Sequence, residues 1–176
     1  MTRQRPTLGA LGRRALAGAA LLSLSAIPAT ATTGPGAGAL CAMIEQAADR
    51  HDLPPDYLAR LIWKESRFDV KALSPRGAQG VAQFMPGTAK LRGLDDPWDP
   101  AQAIPASAAY LADLRDRFGN LGLAAAAYNS GEKRVETWLA GKGGLPAETR
   151  DYVLSITRRP ADWFRETARD VEPRPL

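Results

Sequence analysis

Apolar residues recur along this chain at three- and four-residue intervals and nowhere alternate with polar ones long enough to demand a strand. Leu40, Met43, Ile44 and Ala47 mark a first helix. Leu58, Leu61 and Ile62 mark a second, opened by Pro55 at a first-turn position where the missing N–H costs nothing. Pro86 opens a further helix. Asp99-Pro100, an N-cap followed by proline, starts a long one whose stripe is Ile104, Ala108, Leu111 and Leu114, and Pro105 should disturb only its early turn. Helices are also predicted over 121–128, 132–140 and 148–158, separated by Gly119-Asn120, Ser130-Gly131 and the glycines at 141–144. The pattern predicts an all-α, single-domain fold without internal repeats.

The amino end follows a different pattern. Residues 1–31 hold Arg3, Arg5, Arg13 and Arg14 and no acid, then an apolar run from Ala15 to Ile27, then Ala29-Thr30-Ala31. This reads as a signal peptide with its cleavage site. The apolar run is shorter than the ~20 residues a spanning helix needs, so an exported, periplasmic or secreted protein is expected, without an integral membrane segment after cleavage. An uncleaved anchor is the alternative. Residues 32–39 (TTGPGAGA) have linker composition, which sets the folded domain at 40–166 and a carboxy-terminal tail at 167–176.

Charge then changes the picture. The whole chain carries 23 basic and 19 acidic residues, but four of the basic ones lie in the leader, and the remainder balance with no long single-sign run. Nucleic-acid binding, which needs a clustered basic surface, is excluded on that ground. One cysteine and one histidine leave no disulfide and no ligand cluster, and no phosphate-cradling glycine motif is present, so no metal or organic cofactor is expected. Cys41 is expected to be a buried helix residue, and His51, beside Asp52 and a Leu53-Pro54-Pro55 turn, a helix end.

One polar residue breaks the helical pattern. Glu65 lies seven, four and three residues after Leu58, Leu61 and Ile62, which puts a carboxylate on the apolar stripe of the second helix. Burial without a partner favours the neutral acid and raises its pKa, which is what a general acid requires. Pairing with an arginine or capping a neighbouring helix is the competing explanation. After Glu65 comes the turn-rich loop Ser74-Pro75-Arg76-Gly77-Ala78-Gln79-Gly80, which leads into Gln83, Phe84, Met85 and Pro86. Farther on, the small-residue run at 124–127 ends in Tyr128-Asn129-Ser130-Gly131, an aromatic and an amide at a helix end, suited to facing a cleft.

In this order, these segments resemble the soluble lytic transglycosylases, bacterial peptidoglycan-cleaving enzymes with a goose-lysozyme-like helical fold. Glu65-Ser66 resembles the catalytic motif, and Gly77-Ala78-Gln79-Gly80-Val81-Ala82-Gln83-Phe84-Met85-Pro86 the second. Ala127-Tyr128-Asn129 resembles the third, and Glu148-Thr149-Arg150-Asp151-Tyr152 the distal one. Four motifs in order, spread over about Leu40 to Trp163, form a specific signal. Ala82 and Ser130 depart from it, at positions where the family often has methionine and alanine. The resemblance implies a lysozyme-like domain with a glycan cleft and Glu65 as sole catalytic acid/base. It further implies that Ser74, Gln83, Met85, Tyr128, Asn129, Glu148, Arg150 and Tyr152 line or brace that cleft. Gln83 and Ser74 would orient substrate groups, Tyr128 would stabilise developing positive charge, and Arg150 with Glu148 would form an ion pair in the cleft wall.

Glycoside hydrolysis ordinarily uses two carboxyls. Asp69, four residues after Glu65, is read as a capping or loop-bracing residue, so the implied chemistry is intramolecular: the C6 hydroxyl of N-acetylmuramic acid closes on C1 and leaves a 1,6-anhydro end. A muramidase-type hydrolase of the same bond and a catalytically idle peptidoglycan-binding or scaffold protein are the alternatives. A serine enzyme built on Ser130-Gly131-Glu132-Lys133 lacks its companion motifs. The implied partners are peptidoglycan glycan strands, met by a monomer, either in general wall turnover or beside a secretion or conjugation apparatus.

Overall fold

The structure, a computed structural model, describes residues 35–168, which fold into eight helices. They are α1 (Ala37–Arg50), α2 (Pro55–Ser66), α3 (Pro86–Leu91), α4 (Pro100–Phe118), α5 (Leu121–Ser130), α6 (Glu132–Leu139), α7 (Ala147–Thr157) and α8 (Ala161–Ala168). Among the described residues the only β pairing is two isolated bridges, Leu73 with Gln79 and Gln79 with Phe84. The predicted leader, residues 32–34 of the linker and residues 169–176 of the tail lie outside the described residues.

Local chemistry fixes the helix ends. The Asp99 carboxylate accepts from Ala101 N at 2.9 Å to start α4, and Gly119, at φ 84°, ends it. Asn120 Oδ1 accepts from Leu123 N at 2.9 Å to start α5. Pro55 opens α2, His51 caps the end of α1 as expected, and α4 runs through Pro105 without a break.

The centre of the molecule is α5, which packs against α4, α6, α7 and α8. Its residues Gly122 to Ala127 are all buried. A helix apolar all round must be enclosed, and small side chains let several neighbours approach it together. At Gly122 the approach is closest: a Cβ there would fall 2.1 Å from the Phe164 ring of α8. The α4 stripe read from the sequence faces this core, with Ile104, Ala108, Leu111 and Leu114 fully buried. On the other side, α2 packs on α1 and α7 and buries Leu58, Leu61 and Ile62.

Three sequence expectations change. Residues 37–39 belong to α1, so ordered helix starts inside the expected linker. Helix α8, anchored by Phe164 and by the Phe164 carbonyl accepting from Asn120 Nδ2 at 3.0 Å, was not predicted and runs past residue 166. Cys41 is exposed: the buried stripe of α1 is Leu40, Ile44, Ala47 and Ala48, and the next residue after Leu40 turns ~100° away from it.

Between α2 and α3 the chain forms an ordered loop instead of a regular element. Gly80 sits at φ 70° with its Cα against the Pro97 carbonyl, where a Cβ would come within 1.9 Å of the oxygen. Both the backbone angle and the space require glycine. We expect Gly80→Ala to destabilise the fold by about 1–3 kcal/mol, read as a lower urea midpoint; an unchanged midpoint would mean the loop does not close on Pro97.

Candidate active site

Glu65 continues the buried stripe of α2 and reaches the end of that helix half-buried. The helix stops immediately after it: Arg67 and Phe68 both take left-handed backbone angles, φ 55° and 66°. Two consecutive non-glycine residues in that region are strained, and such strain gathers where a side chain must be aimed. Ser66 fixes the turn by donating its hydroxyl to Val81 O at 2.7 Å.

Helix α7, packed on α2, brings Tyr152 to Glu65, and the buried phenol donates a short hydrogen bond to Glu65 Oε1. No salt-bridge partner reaches Glu65 among the described residues. Its pKa is therefore raised from 4.5 to about 7. Burial is the largest cause; the Tyr152 hydrogen bond lowers the value, the charge of Glu148 raises it further, and Lys64 opposes it. The carboxyl is thus substantially protonated near neutral pH, which answers the pairing alternative: there is no guanidinium beside it.

Tyr128, at the end of α5, donates its hydroxyl to Ala82 O at 2.9 Å, and its ring packs on Phe84 and Tyr110 with centroid distances of 6.2 and 5.4 Å. Burial, and then the nearby Glu65 charge, hold both Tyr128 and Tyr152 well above the ordinary tyrosine value, so both are neutral phenols. Asn129 Oδ1 accepts from the buried Thr149 hydroxyl at 2.8 Å and ties α5 to the first turn of α7.

The loop carries its own bracing. Ser74 Oγ accepts from Ala78 N at 2.9 Å, and Asp69 Oδ1 accepts from Lys71 N at 2.8 Å in the bracing role expected of it. Gln83, at φ 52°, donates its amide to Ala72 O at 3.0 Å and to Gly80 O at 2.9 Å. The Ser74 oxygen and the Gln83 NH2 are thus engaged by the loop backbone, which leaves the Ser74 O–H as a donor and the Gln83 carbonyl as an acceptor with no partner among the described residues. Met85, at the N-cap of α3, is exposed.

The structure corrects one expectation outright. Arg150 pairs with Asp162 of α8 at 2.5 Å, its Nε faces Leu145 O at 3.4 Å, and its guanidinium lies 5.8 Å from the Trp138 ring centre. Glu148 does not pair with it, because residues two apart on a helix point to different sides. Glu148 is exposed and faces Glu65 electrostatically instead. Sequence reading missed Ser66, Thr149 and Asp162 as bracing residues; Ser66 and Thr149 lie within the quoted motifs, whereas nothing in the sequence marked Asp162. Lys133 is almost fully exposed and Ser130 Oγ donates to Ala126 O within α5, so the Ser-x-x-Lys pattern assembles no nucleophile.

An all-helical, lysozyme-like fold with a half-buried acid, unpaired by any cation among the described residues and hydrogen-bonded by a buried phenol, defines the class. The family description "Transglycosylase SLT domain" matches residues 42–150, and the chain belongs to that family. It is 35% identical over 136 residues to the membrane-bound lytic murein transglycosylase F 2 of Alkalilimnicola ehrlichii, covering 73% of this chain and 27% of that protein. It is 34% identical over 127 residues to the soluble lytic murein transglycosylase of Escherichia coli K12, covering 60% and 20%. Among solved structures it is similar to an inactive Glu-to-Gln mutant of the lytic transglycosylase Slt from Pseudomonas aeruginosa, with a TM-score of 0.59, 31% identity, and coverage of 75% of this chain and 25% of that one. The chain thus spans about a quarter or less of the length of these relatives.

The Glu65 pKa makes stability pH-dependent. Below pH 4.5 the carboxyl is protonated whether the chain is folded or not. Between 4.5 and 7 the unfolded chain ionises first, so stability falls as pH rises, by up to about 3 kcal/mol, and levels off above 7. Glu65→Gln should abolish this component, so its stability advantage over the parent should grow from pH 4.5 to 7 in urea denaturation. Parallel profiles would contradict the assignment.

Proposed function

We propose that the protein is a peptidoglycan lytic transglycosylase that cleaves the β-1,4 bond between N-acetylmuramic acid and N-acetylglucosamine, with Glu65 as its sole general acid/base. The observation that carries this is the half-buried Glu65 carboxyl, with a pKa of about 7 and one oxygen held by Tyr152. Such a group donates a proton at neutral pH and, once ionised, accepts one back. The names of the relatives, murein transglycosylases, support the substrate class. The similar structure described as an inactive Glu-to-Gln mutant supports the dependence on a glutamate.

In this reading Glu65 protonates the bridging oxygen as the C1–O bond breaks and its electron pair goes to the departing sugar. The C6 hydroxyl oxygen then bonds to C1 and returns its proton to Glu65, closing the 1,6-anhydro ring. No water is consumed. Tyr152 orients the carboxyl through both steps, and Tyr128 lines the wall beside it and stabilises the positive charge developing at the sugar. Met85 and the Gln83 carbonyl contact the glycan, with Ser74, Asn129 and Arg150 bracing the cleft. Such proton transfer supplies ~10²- to 10⁴-fold; the remainder comes from holding the sugar in a reactive shape. Muramidase-type hydrolysis is the second reading, and one observation favours it: the Glu148 carboxylate is close enough to raise the Glu65 pKa and would have to activate water.

The reading places the protein, after removal of residues 1–31, in the periplasm on glycan strands, in wall turnover or beside a secretion or conjugation apparatus. Among the described residues no helix is long and apolar enough to cross a membrane.

Three experiments test the chemistry. Digested sacculi should yield anhydromuropeptides without borohydride-reducible ends; reducible ends would make water the acceptor and the enzyme a hydrolase. Glu65→Gln should lower cleavage at least 10²-fold while leaving the protein folded. With Tyr152→Phe the donor that lowers the Glu65 pKa is lost, so the alkaline fall in kcat/KM should move to higher pH; an unmoved limb would remove Tyr152 from the site.

A further inference from the structure

The part of Tyr128 left for a substrate is its ring, because its hydroxyl is spent on Ala82 O at 2.9 Å. That bond fixes the tip of the side chain and leaves one freedom open. The Cβ–Cγ bond and the phenol oxygen lie on one line, so the ring can turn about that axis while the hydroxyl stays in place, and the χ2 torsion of an aromatic side chain is intrinsically soft. The turn matters for chemistry. An aromatic ring is negative over its face and positive at its edge, so a ring turned by ~90° would repel the positive charge that its face stabilises.

Two neighbours set that angle. The Phe84 ring meets Tyr128 with centroids 6.2 Å and planes 69° apart, and the Tyr110 ring lies 5.4 Å away with its plane at 42°. Rings packed this closely obstruct the rotation of the one they both touch. Phe84 is a core residue, 2% exposed, and its place comes with the fold. Tyr110 is different: it stands half-buried at the edge of a cavity of about 490 Å³, where an aromatic side chain needs holding of its own. The holding is present. The Arg92 guanidinium, at the C-cap of α3, is stacked 4.1 Å from the Tyr110 ring centre, and Asp113 Oδ2 keeps it there by accepting from Arg92 Nη1 at 2.7 Å. At the other end, the Tyr110 hydroxyl donates to Glu132 Oε1 of α6 at 3.3 Å.

We propose that Tyr110 is a positioning residue of the active site: clamped by Arg92 and Glu132, it holds the Tyr128 ring at the rotation that turns its face to the sugar. It thereby takes part in charge stabilisation without touching substrate. The catalytic consequence rests on the transglycosylase reading above, whereas the held ring does not. Shortening Tyr110 enlarges a space that is already open and leaves the buried stripe of α4 intact, so its role can be separated from that of the core.

The test joins kinetics on soluble glycan strands to nuclear magnetic resonance of the full chain carrying ring-labelled tyrosine. Tyr110→Leu should lower kcat about 2- to 30-fold, the range a misdirected cation–π contact covers, with KM unchanged. Tyr110→Phe keeps the ring under Arg92 and should restore most of the loss. Because Tyr110 acts through Tyr128, its penalty should vanish in a Tyr128→Leu background, where a merely structural role would add in full. The Tyr128 ring should flip about 2- to 10-fold faster in Tyr110→Leu, the factor that one ring–ring contact is worth. Arg92→Gln frees one face of Tyr110 while keeping the ring; it should show the same pattern at smaller size and carries the test if Tyr110→Leu folds poorly. A parental kcat in Tyr110→Leu, a loss confined to KM, or a penalty undiminished in the Tyr128→Leu background overturns the proposal. A faster Tyr128 flip in a chain that cleaves no glycan keeps the clamp while removing the catalytic reading; an unchanged flip rate beside intact cleavage does the reverse.

Discussion

A carboxyl taken out of water without a cation beside it exists in one of two states, and the Glu65 surroundings choose between them. Ionised, it would stand half-buried with a phenol as its only hydrogen-bond partner among the described residues and with the Glu148 charge against it. Neutral, it escapes the desolvation cost and can still accept from Tyr152 through Oε1. The shift from 4.5 to about 7 is worth about 3 kcal/mol, comparable to a large share of the margin by which small domains are stable. The fold tolerates that bias toward the acid form, and the arrangement of α2, α5 and α7 makes sense as what maintains it.

Those three helices can converge because of α5. With Gly122 and four alanines enclosed on all sides, it draws four neighbours close and ends in the two side chains that face outward to the site and its bracing, Tyr128 and Asn129. The opposite wall is irregular chain, and it is held by backbone bonds to Ser74 and Gln83, by Ser66 reaching Val81, and by Gly80 lying flat on Pro97. Rigid helices thus carry the proton-handling groups, while a strapped loop forms the rim.

The apolar spacing made the buried faces of α2 and α4 legible, and capping residues located their starts, because helical periodicity and caps are local properties. Glu65 stood out for the same reason, as a charge in an apolar register. What the sequence hid was tertiary. Arg150 finds Asp162 because α8 folds back over α5, a contact between elements that no spacing within α7 encodes, and the short amphipathic α8 itself went unseen until Phe164 was found closing over Gly122. Cys41 was misplaced through its general preference for the interior, when its register on α1 set it one residue off the buried stripe. Ser74 and Gln83 were marked by the motif, but which of their atoms the loop itself occupies is settled only by three-dimensional closure.

Direct titration of the Glu65 side chain decides the central point. In protein carrying 13C-labelled glutamate, assigned by comparison with Glu65→Gln, the Glu65 carboxyl resonance should titrate with a midpoint of about 7. A midpoint between 4 and 5, in the ordinary glutamate range, would mean the carboxylate is ionised at neutral pH and cannot be the proton donor on which this account stands.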